Sequence, residues 1–304
     1  MDISKITSKE QAVGFLNQFD NFLFDCDGVI WSGNTLLPKT IEILTYLKME
    51  LHKNLIFVSN NSTKSREEYL KKFRKLGINF INKNEIFNSS FASAIYIEKI
   101  LNVNKETDKV FVIGMRGIEG ELREAGIKYI GGEDIRLDDK FSVEESEYFQ
   151  NLDPSVKVVL AGLDLNINYH RLAIGLQYLL RPEVFFVSTN IDSTFPNGKF
   201  KLPGAGTMIK ALETCSNRKS ISCGKPNLNM MKSIIKEHNI DISRSVMVGD
   251  RLNTDIKFGK LGGLSTLLVL SGICSEEDVF SKDNDVVPNY YINKLGDLYE
   301  LIHE

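Results

Sequence analysis

Short apolar runs that recur along the chain predict the strands of a parallel sheet. The run at residues 22–24 is followed by a helical period over residues 38–51, and a second run comes at residues 55–58. Strand, helix and strand in this order form a βαβ unit, in which the two strands lie parallel. The beginning of the chain therefore predicts an α/β fold.

A further helix is predicted over residues 64–76, because Leu and Phe recur there on one face. Ser62 or Thr63 can cap its start, and Gly77 is suited to end it. The basic run at residues 71–75 lies within this helix, and we interpret it as a solvated helix face.

The middle and the end of the chain carry more apolar runs, separated by helical stretches such as residues 169–180. The runs in the middle either extend the first sheet or form another one. The acidic segment 131–154 is predicted to be a mobile loop. The additional runs lie at residues 110–114, 157–162, 184–188, 245–249 and 264–270.

Composition narrows the class of protein. Of 304 residues, 42% are apolar and 25% are charged, which is typical of a soluble globular protein long enough for two packed units. The formal net charge of −3 provides no basic surface, so nucleic acid is not an expected partner. Residues 1–5 lack an apolar signal core, and no window approaches 18 uninterrupted apolar residues. We therefore expect a cytoplasmic protein with no membrane partner.

The cysteines show neither C-x-x-C pairing nor a histidine partner at metal-binding spacing. This pattern suits a reducing compartment better than a disulfide scaffold, so free thiols are expected. Cys26 suggests a redox switch, but a small buried spacer between two carboxylates is the preferred interpretation. The cysteines are Cys26, Cys215, Cys223 and Cys274.

Polar residues come directly after several of the apolar runs. In an open α/β sheet, ligands bind at the carboxyl ends of the strands, so these residues are expected to converge. Gly28 allows the backbone to turn where two carboxylates must approach one small target. The residues in question are Asp25, Asp27, Ser59, Asn60, Asn61, Asp250, Asn253 and Asp255, together with Lys225 at the start of a predicted helix.

This mixture of functional groups suits a phosphate monoester and a hard divalent cation. Two carboxylates as close as Asp25 and Asp27 repel each other unless a cation or a proton lies between them. Mg²⁺ prefers carboxylate, carbonyl and water oxygens, whereas zinc would call for the histidines and thiols that are missing here. An aspartate can itself act as the nucleophile on phosphorus.

These residues, in their order along the chain, resemble the four motifs of the haloacid dehalogenase superfamily. Asp25-x-Asp27-Gly28 is similar to the first motif, Ser59 to the second, and Lys225 to the third. Gly249-Asp250 together with Asp255 is similar to the fourth.

The resemblance implies a role for each residue. Asp25 would attack phosphorus, and Asp27 would protonate the leaving oxygen and then activate water. Ser59 and the backbone of Asn60 would hold phosphate oxygens, while Lys225 would neutralise charge and orient Asp25. Mg²⁺ would be bound by Asp25, by the Asp27 carbonyl and by Asp250, and the supporting residues would be Gly28, Asn61, Asn253 and Asp255.

The spacing between the motifs predicts where a second domain is inserted. Only 31 residues separate Asp27 from Ser59, whereas 165 separate Ser59 from Lys225. Subtracting about 60 residues for the core leaves roughly 100, enough for a folded domain. We predict a Rossmann-like parallel-sheet core at residues 1–101 and 213–304, with an inserted α/β cap of the C2 type at residues 102–212.

This insertion point resembles the C2-capped group of 4-nitrophenylphosphatases, phosphoglycolate phosphatases, pyridoxal phosphatases and bacterial nucleotide phosphatases. Residues 189–196 look like the group's substrate-specificity loop, with Asn190, Asp192 and Phe195 as candidate residues. Phe195 departs from the histidine of the pyridoxal type and mildly favours phosphoglycolate. The alternative is that Asn190 and Asp192 only stabilise the loop through Asx turns.

Two arginines, Arg171 and Arg181, allow a similar pair of interpretations. They either bind a substrate carboxylate or lie exposed on a helix, and the second is commoner.

The predicted function is a Mg²⁺-dependent phosphatase of small phosphorylated metabolites that forms an aspartyl-phosphate intermediate. The chief substrate is predicted to be 2-phosphoglycolate, with 4-nitrophenyl phosphate as an artificial one, and metabolite repair is a plausible role. A dehalogenase is disfavoured, because a halide leaving group needs no proton from Asp27. A phosphomutase usually carries its cap in the shorter interval.

Three alternatives remain open: a pyridoxal 5′-phosphate phosphatase, a phosphoprotein phosphatase, and a non-catalytic protein that binds phosphorylated ligands. The resemblance also implies a homodimer formed through the caps.

Overall fold

The computed structural model describes residues 3–138, 141–197 and 200–304. Residues 1 and 2 of the N-terminal segment, and residues 139 and 140 of segment 131–154, lie outside the described residues. The chain forms two compact units, and the predicted cap segment 102–212 lies wholly within the second. The domain boundaries themselves stay a prediction. The first unit comprises Met1–Ser59, Leu70–Phe87 and Lys225–Glu304, and the second comprises Asn60–Tyr69 and Asn88–Gly224.

The strands are short, and those in the sheet centres are almost wholly buried. In chain order they are β1 Ser4–Lys5, β2 Asn21–Phe24, β3 Trp31–Ser32, β4 Thr35–Leu36, β5 Asn54–Ser59, β6 Ile86–Asn88, β7 Lys109–Ile113, β8 Lys128–Gly131, β9 Val156–Ala161, β10 Phe185–Ser188, β11 Thr194–Asn197, β12 Phe200–Pro203, β13 Ile221–Ser222, β14 Ser245–Gly249, β15 Ser265–Val269 and β16 Tyr290–Ile292.

Helices connect many of these strands. They are α1 Lys9–Gln18, α2 Thr40–Thr45, α3 Arg66–Lys75, α4 Ser89–Lys99, α5 Arg116–Glu124, α6 Glu147–Gln150, α7 Tyr169–Leu179, α8 Ala205–Ser216, α9 Leu228–His238, α10 Lys257–Leu261, α11 Glu276–Val279 and α12 Asp297–His303. A π-helical turn, Tyr46–Glu50, continues α2, and another, Leu252–Ile256, leads into α10. Short 3₁₀ turns lie at Lys83–Glu85, Ile135–Leu137 and Ile242–Arg244.

The first unit is built around a sheet of order β1-β16-β15-β14-β2-β5-β6. In this sheet order, each neighbouring pair of strands between β1 and β5 is parallel. All four residues of β2 are buried, and Phe24 aligns with Val248 of β14 and Phe57 of β5. Because parallel strands point the same way, the residues that follow β2, β5 and β14 meet at one edge of the sheet. The predicted α/β class with a parallel-sheet core is confirmed.

A row of aromatic side chains packs beside the strands of this sheet. The Phe24 and Phe57 rings are stacked with centroids 5.7 Å apart. Phe73 of α3 meets Phe57 at 4.7 Å and Trp31 of β3 at 4.9 Å, both edge to face. Pairs of this kind contribute about 0.5–1.5 kcal/mol each beyond the area they bury. This aromatic row, Phe24, Phe57, Phe73 and Trp31, fixes where Trp31 lies.

The second unit has its own parallel sheet, of order β13-β10-β9-β7-β8. The apolar runs in the middle of the chain therefore form another sheet rather than extending the first. Phe111, Ile174 and Tyr178 lie in the core that α7 and α8 make with this sheet. A separate antiparallel hairpin joins β11 to β12 and pairs Phe195 with Leu202.

The start of α3 differs from the sequence prediction. Ser65 Oγ accepts a hydrogen bond from Glu68 N at 3.3 Å, and the Glu68 carboxylate accepts one from Ser65 N at 2.9 Å. This reciprocal arrangement is a capping box, so the prediction of Ser62 or Thr63 as the N-cap was wrong. Gly77 follows the helix with a φ of +88°, as expected for a glycine stop.

Segment 131–154 is more ordered than a loop, since it contains a 3₁₀ turn and α6. Arg171 of α7, in the same unit, forms hydrogen bonds to two residues of this segment. Its guanidinium donates to Gly132 O, to Asp138 Oδ1 at 2.6 Å and to Asp164 Oδ2 at 3.4 Å, and the residue is 1% exposed. The interpretation of Arg171 as an exposed helix arginine was therefore wrong, because these acceptors draw it into the interior.

Three smaller predictions can also be compared with the structure. Arg181 is partly buried, follows the end of α7 and donates to Asp153 O at 2.9 Å, so its interpretation as an exposed helix arginine was wrong. All four cysteines are free thiols, and Cys26 is buried, as predicted. Over the described residues, no helix is both long and apolar enough to pass through a membrane.

Candidate active site

Strand β2 ends by delivering Asp25 to the carboxyl edge of the first sheet. Asp25 N donates to Val248 O at 2.8 Å, which holds the residue against β14. The chain then curls back on itself. Trp31 N donates to Cys26 O at 3.2 Å, and Gly28 N donates to Trp31 O at 2.7 Å. Gly28 has a φ of +88°, a conformation that a side chain would strain. The loop between β2 and β3 is thus a tight, backbone-bonded turn with Cys26 as its buried spacer.

Lys225 links two of the predicted carboxylates. Its Nζ lies 2.6 Å from Asp25 Oδ1, 2.7 Å from Asp255 Oδ1 and 2.8 Å from Val58 O, and the residue is 1% exposed. Burial acts to lower the pKa of Lys225, but the charges of Asp25 and Asp255 outweigh it and leave that pKa raised. The side chain is therefore a buried ammonium paired with both carboxylates.

Asp250 follows β14 and is 2% exposed. Its Oδ2 accepts from Ile273 N at 2.8 Å, while its buried Oδ1 has no hydrogen-bond partner among the described residues. Burial, together with the charge of Asp255, raises the pKa of Asp250 to about 7. Gly28 and Gly272 lie against this carboxylate, and a Cβ on Gly28 would come within 2.5 Å of Oδ2. Neither Gly28 nor Gly272 can therefore carry a side chain without colliding with the Asp250 carboxylate.

The π-helical turn Leu252–Ile256 directs Asp255 back toward the end of β14. Asp255 Oδ2 accepts from Arg251 N at 3.1 Å, and Oδ1 is the partner of Lys225. Asp255 also packs on Gly249, where a Cβ would collide with it. Asn253 belongs to the same turn but is exposed. The structure brings Asp255 to the other carboxylates. Among the described residues, Asn253 forms no hydrogen bond with any of them.

The carboxylates fit a hard divalent cation. Oxygens of Asp25, Asp250 and Asp255 lie within 4.8 Å of one another, and the Lys225 ammonium lies within 2.7 Å of Asp25 and Asp255. Burial, opposed by Lys225, raises the pKa of Asp25, and the neighbouring carboxylates raise it further. Asp250 Oδ1, buried without a hydrogen-bond partner among the described residues, is suited to bind a cation. Since both oxygens of Asp255 are already engaged, Asp25 and Asp250 fit the role of direct ligands better.

Asp27 lies on the outer side of the same loop, with 45% of its side chain exposed. Trp31 Nε1 donates to Asp27 Oδ1 at 2.9 Å, and Lys72 Nζ lies 3.9 Å from the same oxygen. Lys72 also lies over the Trp31 ring, 4.0 Å from its centroid, with 14% of its side chain exposed. The interpretation of the basic run as a solvated face is therefore wrong for Lys72.

Sequence reasoning missed Trp31 and Lys72 as neighbours of the site. Trp31 gave one usable signal, since it is the sole tryptophan of the chain and falls four residues after Asp27. Lys72 gave none, because its approach depends on how α3 packs against the loop.

Ser59 ends β5 and is 3% exposed. The structure places it at the edge where Asp25 and Asp250 also lie.

The remaining predicted residues belong to the second unit. Asn60 Nδ2 donates to both oxygens of Asp192, at 3.1 and 3.2 Å, and Asn60 O accepts from Asn190 Nδ2 at 2.8 Å. Asp192 N donates to Asn190 Oδ1 at 3.1 Å, which forms an Asx turn. Asn61 Oδ1 accepts from Thr63 N at 2.9 Å. The structure thus supports a loop-stabilising role for Asn190 and Asp192, and it joins that loop to Asn60. Phe195 lies half-buried in β11.

Comparison with known proteins gives the family. Residues 22–128 match the family described as haloacid dehalogenase-like hydrolase, and residues 222–298 match one described as HAD-hydrolase-like. A 4-nitrophenylphosphatase of Schizosaccharomyces pombe is 44% identical, covering 97% of this chain and 98% of that protein. The chain belongs to the haloacid dehalogenase-like hydrolases.

Two further relatives of this hydrolase match it over nearly the whole chain. Phosphoglycolate phosphatase 2 of Arabidopsis thaliana is 40% identical, covering 98% of both chains. The solved structure of a p-nitrophenyl phosphatase from Archaeoglobus fulgidus superposes with a TM-score of 0.78 at 30% identity, covering 93% of this chain and 98% of that one. The predicted family, the predicted fold class and the prediction of a phosphatase are confirmed.

Proposed function

We propose that this hydrolase cleaves small phosphate monoesters through an aspartyl-phosphate intermediate, with 2-phosphoglycolate as its chief substrate and 4-nitrophenyl phosphate as an artificial one. The observation that carries the proposal is the buried ion pair of Lys225 with Asp25, 2.6 Å long, at the carboxyl edge of the sheet. The names of the two curated relatives point to the same substrates. A role in metabolite repair follows if phosphoglycolate is the substrate in the cell.

Asp25 is the nucleophile in this proposal, and Asp27 is the acid and base. An oxygen of Asp25 forms a bond to phosphorus while the bond to the leaving oxygen breaks, and Asp27 gives that oxygen a proton. Asp27 then takes a proton from water, whose oxygen bonds to phosphorus as the bond to Asp25 breaks. Phosphate leaves and both carboxyls return to their starting states. The Lys225 ammonium opposes the effect of burial, favours the ionised form of Asp25 and orients its carboxylate.

Phosphate oxygens are held by the Ser59 hydroxyl and by the backbone N–H of Asn60 in this proposal. Ser59 comes at the end of the strand next to β2, which favours such a role. The side chain of Asn60 is engaged with Asp192, so its backbone is the better candidate to bind phosphate.

Mg²⁺ is the proposed cofactor, because the site offers several carboxylates and one ammonium. Asp25, the Asp27 carbonyl and Asp250 would hold it, with Asp255, Gly28, Asn61 and Asn253 in support. When bound, the cation would stabilise the negative charge of the transferring phosphoryl group.

Pyridoxal 5′-phosphate and phosphoproteins remain the alternative substrates, and binding without catalysis remains the alternative activity. Phe195 on the hairpin mildly favours phosphoglycolate over pyridoxal phosphate. A homodimer through the second unit and a cytoplasmic location stay predictions from the sequence.

The test measures phosphate release from 4-nitrophenyl phosphate, 2-phosphoglycolate, pyridoxal 5′-phosphate and a phosphopeptide. Asp25→Asn is expected to abolish release, while Asp20→Asn, which alters an exposed ion pair with Arg244, should retain it. Acid-quenched wild-type protein should carry a phosphate adduct on Asp25. Chelation of divalent cations should stop turnover, and Mg²⁺ should restore it. Wild-type rates in Asp25→Asn would overturn the nucleophile assignment, and chelator-resistant turnover would overturn the metal assignment.

A further inference from the structure

Among the residues that the structure describes, the side-chain partners of the Asp27 carboxyl lie at one of its two oxygens. Trp31 Nε1 donates to Oδ1 at 2.9 Å, and the Lys72 ammonium lies 3.9 Å from Oδ1. In residues 3–138, 141–197 and 200–304, no side-chain or backbone donor forms a hydrogen bond to Oδ2. The two oxygens of this carboxyl therefore have different surroundings.

The chemistry of the donors decides what each oxygen can do. An indole N–H can only donate, so Oδ1 must offer a lone pair to it and cannot carry a proton in that direction. The Lys72 ammonium likewise has no lone pair, so it cannot accept a proton from Oδ1. A proton on this carboxyl must therefore reside on Oδ2.

The groups that contact Oδ1 are themselves held in place. Trp31 is fully buried, pairs with Leu36 in the β3–β4 hairpin, and meets Phe73 edge to face at 4.9 Å. Lys72 precedes Phe73 on α3 and lies 4.0 Å from the centroid of the Trp31 ring, a cation–π geometry. The Trp31 indole is thus fixed because it belongs to the hairpin and packs against α3. The Asp27 side chain, in contrast, is 45% exposed. The half-exposed carboxyl of Asp27 is therefore contacted by two side chains, Trp31 and Lys72, that are more buried than it is.

We propose that Trp31 and Lys72 are positioning residues that hold the Asp27 carboxyl in one orientation, so that Oδ2 is the oxygen that exchanges the proton. The inference rests on the proposed function, in which Asp27 serves as acid and base. In the first step, the bond from phosphorus to the leaving oxygen breaks, its electron pair stays on that oxygen, and the proton moves from Asp27 Oδ2 to it. In the second step, Oδ2 takes a proton from the attacking water, and Oδ1 keeps its hydrogen bond to the indole throughout.

The test compares two aryl phosphates that differ in a 4-nitro group and therefore in how much the leaving oxygen needs an acid. 4-Nitrophenolate leaves without much help, whereas phenolate depends more on protonation, so phenyl phosphate is the sensitive substrate. The measured quantity is kcat/KM, which reports the free energy of the transition state relative to free enzyme and substrate. General acids contribute typically 10²- to 10⁴-fold to a rate, so a misoriented acid should cost a measurable part of that range.

The variants are Trp31→Phe, which removes the N–H and keeps a ring under Lys72, and Lys72→Met, which removes the charge and keeps the chain length. Each is expected to lower kcat/KM for phenyl phosphate by about tenfold or more, and for 4-nitrophenyl phosphate by less than about threefold. Phe73→Leu is the packing control, because it loosens the contact with Trp31 and leaves both donors. Lys75→Met is the charge control, since Lys75 is exposed on the same helix. Both controls should leave the ratio of the two substrates at the wild-type value.

Equal losses on the two substrates, or a changed ratio in Phe73→Leu as large as in Trp31→Phe, would show a packing role and overturn the inference. Unchanged kinetics in both variants would also overturn it. Lys72→Met keeps the test decisive if Trp31→Phe fails to fold, because an unaltered ratio in Lys72→Met alone contradicts the inference. Failure of the proposed function is distinguishable, because the wild-type protein would then hydrolyse neither aryl phosphate.

Discussion

Replacing Lys225 by methionine should destabilise the first unit far more than the loss of one surface charge would. The ammonium has three acceptors within 2.8 Å, two of them carboxylates, and Lys225 and Asp255 are at most 2% exposed. Methionine has nearly the same length, so the change removes charge and hydrogen bonds while leaving little empty volume. What remains is Asp25 facing Asp255 without a cation between them.

The magnitude follows from the cost of leaving a buried charge without its partner. Removing one member of a buried ion pair typically costs about 3–5 kcal/mol, and we expect a loss of that size in the free energy of unfolding of Lys225→Met. The loss should be smaller at about pH 5 than at about pH 8. Burial already raises the pKa of Asp25, and removing Lys225 raises it further, so the native variant gains a proton that the unfolded chain lacks as the pH falls.

The assay is urea unfolding with chelator present, so that bound cations do not mask the effect. Lys75→Met serves as the control, and as an exposed substitution it should shift stability by no more than about 0.5 kcal/mol. The double variant Asp25→Asn/Lys225→Met should recover part of the loss, because it removes one of the opposed carboxylates. A stability of Lys225→Met within error of Lys75→Met, or a loss that grows as the pH falls, would refute this account of the ion pair.

Three other substitutions test separate features. Gly28→Ala should destabilise the protein by about 1–3 kcal/mol and lower turnover, because its Cβ would lie 2.5 Å from Asp250 Oδ2. The control is Gly33→Ala, which also has a positive φ but has open space around it, and it should cost about 1 kcal/mol. Equal effects of the two substitutions would contradict the argument from close approach. Glu213→Gln should cost about 1–3 kcal/mol at neutral pH. Burial acts to raise the pKa of Glu213, but its lysine partners and a backbone N–H lower it to about 2, so the difference from wild type should vanish in urea titrations as the pH falls from 4.5 to about 2. Arg171→Met should cost about 3–5 kcal/mol in the same assay, and a loss below 1 kcal/mol would show that its buried carboxylate partner needs no cation.

Strand-end residues were the part of the site that sequence could predict. Asp25, Ser59 and Asp250 each follow an apolar run, and a parallel sheet brings such positions to one edge whatever the details of packing. Lys225 could be added because it opens a predicted helix and is similar to the third motif of the superfamily. The pattern of runs likewise predicted the α/β class.

Contacts that depend on how elements pack could not be predicted. Lys72 looked like part of a solvated basic run, but the helix turns it toward Trp31 and Asp27. Arg171 looked exposed, but its three acceptors come from residues that no periodicity connects to α7. In each case a long side chain reaches across elements, and sequence spacing does not encode that reach.

The order in which the two units are synthesised determines when the ion pair of Lys225 with Asp25 can form. Asp25 and Lys225 are 200 positions apart, and the main part of the second unit, Asn88–Gly224, ends one residue before Lys225. Because domains tend to fold as they emerge during synthesis, the second unit can fold before Lys225 has been synthesised and can pair with Asp25. The last strands of the first sheet then arrive together with Lys225, Asp250 and Asp255. A ribosome-bound chain is thus expected to assemble its carboxylate cluster and the charge that balances it in one late event.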